Sequence, residues 1–287
     1  MTPTLAQPHL PRAGTTPRGV DRCARARDWA EIQERMLVPL YEAVYERLDV
    51  GSGTRLLGLG CGSGLALLMA ASRGASVTGV DPSAPERLAL ARARLVPEAS
   101  PDGQPHGDTR LVEGGPEDVS GPDVPAFNMV TAFQPIGCTA GDSEGLSGLL
   151  EATVPLTGSG TPVVLAGWGP PERCTTSSVL RVATKLADPL RSTGSWRPAL
   201  RDDLEEVAQR AGLKPDGSGR VACPFGYADT DSAVRGLLST GLFDAAVGAT
   251  DQVQVDKELT EALHPHKRRD GTVWMPNVFR YLIARTR

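Results

Sequence analysis

Apolar side chains along this chain recur first at helical spacing and then in short continuous runs. Trp29, Ile32, Met36, Leu37, Leu40, Val44 and Leu48 follow a 3.6-residue repeat, which predicts one or two amphipathic helices over 28–48, ahead of any strand. Residues 54–60 read as a buried strand and 62–73 as the helix that follows its glycine turn. Strands are then predicted at 76–81, 110–113, 127–133 and 162–168, with helices at 84–95 and 145–156 between some of them. A helix at 201–211 leads through a glycine stop to strands at 220–225 and 278–284, which close the sheet. Strands separated by helices pair in parallel through right-handed crossovers, so the pattern specifies an α/β fold with a doubly wound sheet.

Four segments stand apart from that unit. Residues 1–19 hold four prolines and four threonines and little that can be buried, and they read as a flexible tail. Residues 20–50 form a helical cap on a single domain spanning 20–287. Two insertions, 169–199 and 228–276, leave the ends of strands and read as lids. A chain of 287 residues that is 40% hydrophobic can fill such a core.

Charge and cysteine usage narrow the function classes. The formal net charge is -4, which supplies no basic field for a phosphate backbone, so no nucleic-acid partner is expected. Cys23, Cys61, Cys138, Cys174 and Cys223 are too scattered for a Cys-x-x-Cys clip and odd in number, which fits a reducing cytoplasm. No run approaches the ~20 apolar residues of a membrane span, and no leader or membrane partner is expected.

The chemistry concentrates where the first strand ends, in Leu56-Leu57-Gly58-Leu59-Gly60-Cys61-Gly62-Ser63-Gly64. Closely spaced glycines between a strand and a helix present free backbone N–H groups to an anionic or nucleotide-like ligand. The dinucleotide fingerprint Gly-x-Gly-x-x-Gly/Ala fails in every register, because the sixth position is Ser63, Leu65 or Leu67. A P-loop fails for want of Gly-Lys-Ser/Thr. Asp81 closes the second strand, where a carboxylate can accept both ribose hydroxyls or, alternatively, cap the helix that follows Pro82.

Gly60-x-Gly62-x-Gly64 followed by Asp81 resembles motif I and the second-strand acid of class I S-adenosylmethionine-dependent methyltransferases, most closely the bacterial small-molecule type. The resemblance extends through Leu111 to Val119, the strand at Phe127 to Thr131, Trp168-Gly169 and the closing Asn277 to Ala284. It implies a Rossmann-like, mostly parallel sheet with an antiparallel last strand, and S-adenosyl-L-methionine as cofactor. On that resemblance the cofactor contacts are Trp29, Gln33, Gly60, Cys61, Gly62, Gly64, Asp81, Pro82, Gly115, Pro116, Glu117 and Phe133. Glu34 also matches the cap helix that folds over the methionine end. The chain departs from the family at Gly58 and Gly115, which stand where acids are usual, and at Asn128, which stands for an Asp.

Methyl transfer needs alignment and dryness more than a base. Trp29, Phe133, Gln134, Trp168, Tyr227 and Trp274 fall at cap, strand-end or insertion positions and are the expected acceptor contacts. His264, His266 and Tyr227 are the candidate acid/base residues, although a charged neighbourhood favours surface roles for the two histidines, and His106 lies in a polar loop. Arg181 and Arg191 read as solvated helix positions or partners of an acidic acceptor. No His/Cys/Asp spacing suggests a metal. The expected activity is methylation of a small molecule, an aromatic or heteroaromatic intermediate of secondary metabolism. A methyltransferase fold used for another reaction, such as cyclisation, and a non-catalytic binding protein are the alternatives.

Overall fold

Asp21 accepts a hydrogen bond from the amide of Ala24 (3.0 Å) and starts the helix α1 (Arg22–Asp28) in the computed structural model. The structure describes residues 21–96, 108–119, 121, 125–137, 143–187 and 203–287. The tail at 1–19, His106, Arg191, Cys138 and residues 188–199 of the first insertion lie outside the described residues.

The helical path begins earlier than the apolar repeat implies and changes pitch within it. A π-helical turn, Trp29–Gln33, passes into a 3-10 turn, Glu34–Leu37, and then into α2 (Val38–Arg47). Such interruptions re-aim side chains and are frequent at functional sites.

The core unit follows in the predicted order: β1 (Arg55–Leu59), α3 (Leu65–Ala71), β2 (Ser76–Val80), α4 (Pro85–Leu95), β3 (Thr109–Val112), β4 (Met129–Ile136), α5 (Leu146–Thr153) and β5 (Pro162–Trp168). Then come α6 (Thr176–Ala187), α7 (Asp203–Arg210), β6 (Lys214–Ala222), β7 (Phe225–Tyr227), α8 (Thr230–Ser239), α9 (Asp244–Ala249), α10 (Gln252–Leu263), β8 (Val273–Met275) and β9 (Val278–Arg285). Seven strands form one sheet in the order β3-β2-β1-β4-β5-β9-β6, while β7 and β8 make a separate two-stranded ribbon. The first five strands pair in parallel, and β9 inserts antiparallel to both β5 and β6.

Side-chain alternation along the strands divides the core between the two sheet faces. Leu56, Val77, Met129, Val164 and Ile283 pack with α2, α6 and the helices of the second insertion. Leu57, Val80, Val130, Leu165 and Leu282 pack with α5 and α7. The insertion 228–276 holds α8, α9, α10 and β8, and its helical part contributes Leu237, Phe243, Val255, Leu259 and Leu263 to the first layer.

The strand expected at 220–225 is longer and differently placed. β6 starts at Lys214 and ends at Ala222, and Phe225 already belongs to the ribbon. β6 is the sheet edge, alternates exposed with half-buried residues and carries Pro215, Gly217 and Gly219, so no apolar run marks it. Among the described residues no helix is long and apolar enough to cross a membrane.

Candidate functional site

β1 and β4 are neighbours whose connections run to opposite sides of the sheet, and their carboxyl ends frame the crevice where open α/β sheets bind ligands. A cavity of about 420 Å³ opens there. Its floor is Gly58 to Gly62, its flank Asp81 and Ser83, and its far wall Thr131, Phe133 and Gln134 of β4. The cap closes it with Trp29, Glu34, Leu37 and Tyr41, and Arg25, Arg87 and Asp244 stand at the side where α1 meets α4 and α9.

The loop glycines serve two different ends. Gly62 adopts φ +57°, in the left-handed region, and a Cβ there would stand 3.2 Å from Glu34 Oε1 and 3.3 Å from Trp29 Nε1. A Cβ on Gly64 would instead stand 2.9 Å from that of Ala91, so this glycine lets α3 pack on α4. Asp81 is 4% exposed and fastens the loop: Oδ2 accepts from the Gly62 amide (3.3 Å), while Oδ1 accepts from the amide (3.0 Å) and hydroxyl (2.9 Å) of Ser83. It does not cap α4, whose N-cap is Ala84 with no side-chain bond.

The cap wall carries the unusual polar groups. Trp29 Nε1 is the one buried side-chain nitrogen or oxygen among the described residues without a hydrogen-bond partner. Its ring lies under the Arg87 guanidinium, 4.3 Å from the centroid. Glu34 is 3% exposed, and its Oε2 accepts from Arg94 Nη1 (3.1 Å) and from the Ser63 hydroxyl. Burial pushes the Glu34 carboxyl above its ordinary range, opposed by Ser63 and Arg94. Burial, with Asp81 and Glu34 nearby, pushes the Cys61 thiol up to about 12, so it stays protonated at neutral pH and is no nucleophile.

Phe133 reaches the cavity because the β4–β5 register shifts between Ala132 and Ile136, and such a bulge re-aims the side chains it releases. Its ring centroid lies 4.8 Å from that of Tyr41 and 5.8 Å from that of Tyr45. Gln134 is exposed at the mouth, and Pro82 is exposed beside Asp81. Trp29, Gly60, Cys61, Gly62, Asp81, Phe133 and Gln134 thus meet at one cavity.

The other sequence candidates lie elsewhere. Gln33 is buried and accepts from the Tyr227 hydroxyl (2.9 Å), which ties the cap to the β7 ribbon; burial pushes the Tyr227 phenol up. Trp168 packs against Phe279 (4.6 Å) and Phe225 (5.9 Å) in a separate aromatic group. Trp274 is exposed, with Arg268 over its ring at 4.5 Å. His264 and His266 sit on a 3-10 turn after α10, where partial burial lowers His266. Gly115, Pro116 and Glu117 form the turn after β3; the Gly115 amide donates to Asp118 Oδ2 (2.9 Å), and the Glu117 carboxylate fills the space a side chain on Gly115 would enter. None of these residues lines the cavity, and Gly64 lies behind it. Arg181 lies on α6. Among the described residues no group of three or more His, Cys, Asp or Glu is placed to hold a metal.

Sequence reasoning missed Tyr41, Arg87 and Asp244 as cavity residues. Tyr41 is four residues after Leu37 on the cap's helical repeat, a spacing that shares a face and marks it. Arg87 and Asp244 have no such local signal, because only the docking of α1 against α4 and α9 brings them to the cavity.

No protein-family model and no curated protein sequence matches the chain. Solved structures do. YcgJ from Bacillus subtilis superimposes with a TM-score of 0.53 at 16% identity, covering 86% of this chain and 97% of that one. A SAM-dependent methyltransferase from Thiobacillus denitrificans, in complex with S-adenosyl-L-homocysteine, gives a TM-score of 0.50 at 17% identity, covering 94% and 99%. The fold is the Rossmann-like one of class I methyltransferases, with its seven-stranded sheet and one antiparallel strand.

Proposed function

We propose that the protein is an S-adenosylmethionine-dependent methyltransferase that acts in the cytoplasm on a small aromatic or heteroaromatic intermediate of secondary metabolism. One observation carries this reading. The glycine loop, the Asp81 carboxylate and Trp29, whose buried indole N–H has no partner, line a single cavity at the sheet's crevice, and together they fit a ligand with ribose hydroxyls and an anionic end. The Thiobacillus protein of the same fold was crystallised with S-adenosyl-L-homocysteine, which agrees with that assignment.

When bound, S-adenosyl-L-methionine supplies an electrophilic methyl group on a sulfonium. The residues of this chain hold and shield it. Asp81 accepts the ribose hydroxyls, Pro82 lies at the adenine face, and Gly115, Pro116 and Glu117 lie toward the adenine edge. Trp29 and Phe133 form apolar walls that exclude water. The helices of 228–276 act as the roof on the acceptor side, where Thr240, Gly241 and Asp244 reach the cavity.

Asp81→Ala is expected to weaken binding of S-adenosylhomocysteine by ~1.5 to 3 kcal/mol, the scale of hydrogen bonds to a charged group. A lowered melting temperature accompanies it, because the Gly62 tether is lost as well. Titration calorimetry beside thermal melting checks both; a variant that melts early yet binds normally assigns Asp81 to the fold alone.

Alignment contributes more than proton transfer in this scheme. Oriented reactants gain ~7 to 11 kcal/mol, whereas a general base supplies ~10²- to 10⁴-fold. Incubation with methyl-labelled donor and a panel of aromatic acceptors, read by mass spectrometry, is expected to label at least one acceptor. Phe133→Ala then lowers kcat/KM at least as much as His264→Ala or His266→Ala. Loss of turnover on removing one histidine, with Phe133→Ala mild and the cofactor still bound, would make the enzyme a base catalyst and sink the positioning account.

A further inference from the structure

β1 delivers no charged side chain to the loop it feeds. Its last residues are Gly58 and Leu59, and a Cβ on Gly58 would stand 2.9 Å from Leu67 Cδ2, so α3 already fills that space. Besides Asp81, the charge facing the loop comes from the cap wall. Trp29 and Glu34 are five residues apart, which in a regular α-helix separates two side chains by ~140° around the axis. Here the Glu34 amide donates to the Trp29 carbonyl, the i to i+5 bond of a π turn, and this wider turn brings the two positions onto one side. Both then approach the same point over Gly62, Glu34 Oε1 at 3.2 Å and Trp29 Nε1 at 3.3 Å from its Cβ direction.

The two groups are complementary in kind. Trp29 offers a buried donor that no protein atom accepts. Glu34 offers a carboxylate whose Oε2 is held by Arg94 and Ser63 and which also faces the Leu65 amide, while Oε1 is the oxygen nearest Gly62. Arg94 spreads its charge further, donating to the Ser63 carbonyl (3.0 Å) and the Ala30 carbonyl (3.1 Å). The second carboxylate of the cavity, Asp81, is engaged with Gly62 and Ser83.

We infer that the Trp29–Glu34 π turn is a clamp for a zwitterionic amino-acid group, Glu34 taking the ammonium and the Trp29 N–H the carboxylate at the methionine end of the cofactor. The inference rests on the cofactor reading above and adds its specificity determinant. The amino-acid end is selected by the cap and not by the sheet, so cap and cofactor order each other. Burial raises the Glu34 carboxyl even with Arg94 and Ser63 against it, and a cation at Oε1 would oppose that rise.

The test is calorimetry on the full chain with three probes: S-adenosylhomocysteine, its analogue lacking the α-amino group, and 5′-methylthioadenosine, which lacks the whole amino-acid end. Glu34→Gln is expected to weaken S-adenosylhomocysteine by ~10-fold or more while leaving the other two within ~2-fold. Trp29→Phe keeps a ring and removes the N–H, and it is expected to weaken the two carboxylate-bearing probes but not methylthioadenosine. Unchanged S-adenosylhomocysteine affinity in Glu34→Gln, or equal weakening of all three probes, overturns the clamp and leaves Glu34 a structural partner of Arg94 and Ser63. If the unaltered protein binds all three equally, the cofactor reading survives and the clamp fails; if it binds none, both fall.

Discussion

Replacing Gly62 by valine is expected to weaken S-adenosylhomocysteine binding by ~100-fold or more, about 2.8 kcal/mol, in a protein that remains folded. Two costs combine. The residue sits at φ +57°, where an L side chain is disfavoured by roughly 1 to 2 kcal/mol and a β-branched one more so. The added carbons also enter the cavity between Glu34 Oε1 and Trp29 Nε1, the space assigned to the ligand. Gly62→Ala carries the strain with less of the obstruction and falls between. Calorimetry and far-UV dichroism on the same samples separate lost binding from lost fold. Valine at this position with affinity within threefold of the original would move the ligand away from the loop.

Phe243→Ala is expected to destabilise the whole chain by ~3 to 5 kcal/mol, with the melting temperature falling on the order of 10 °C. Phe243 is fully buried at the N-terminus of α9, and it packs in the same layer as Leu40 of α2 and Val164 of β5. The second insertion is therefore continuous with the sheet's core, and truncating its anchor should shift one cooperative transition. A scan in which the main transition stays put while a minor one moves would make the insertion a separately folding lid. The ties that α1 makes across the cavity are of a different kind. Arg25–Asp244 (2.7 Å), Arg22–Glu86 (3.9 Å) and Arg235–Asp28 are partly exposed ion pairs, each worth ~0 to 1 kcal/mol.

The sheet was legible wherever burial was continuous. β1, β2, β4 and β5 are apolar runs because both sheet faces are covered; the ends of β1, β2 and β5 are legible to within one residue, and β4 lies two to three residues later than expected. β6 was misplaced because an edge strand buries little and tolerates Pro215 and glycines. α1 was missed for a related reason: of Arg22 to Asp28 only Ala26 is buried, so no stripe marks it. The glycine loop and Asp81 were readable because their chemistry is local, carried by adjacent residues at a strand end. The aromatic residues were not, since Trp168, Tyr227 and Trp274 belong to three different strands, and only pairing and face decide which side they join. Trp168 alternates with Val164 and Ala166 toward the cap layer, where Phe225 and Phe279 meet it. The π turn at Trp29–Gln33 is invisible to a 3.6-residue template, although both residues that it brings together had been noticed for their type.

Titration of the full chain with S-adenosylhomocysteine and, separately, with NAD tests the central assignment most directly. The geometry of the loop, Asp81 and the cap wall predicts saturable, one-site binding of the sulfur nucleotide and no response to the dinucleotide. Saturable NAD binding with no heat from S-adenosylhomocysteine or S-adenosylmethionine would contradict it.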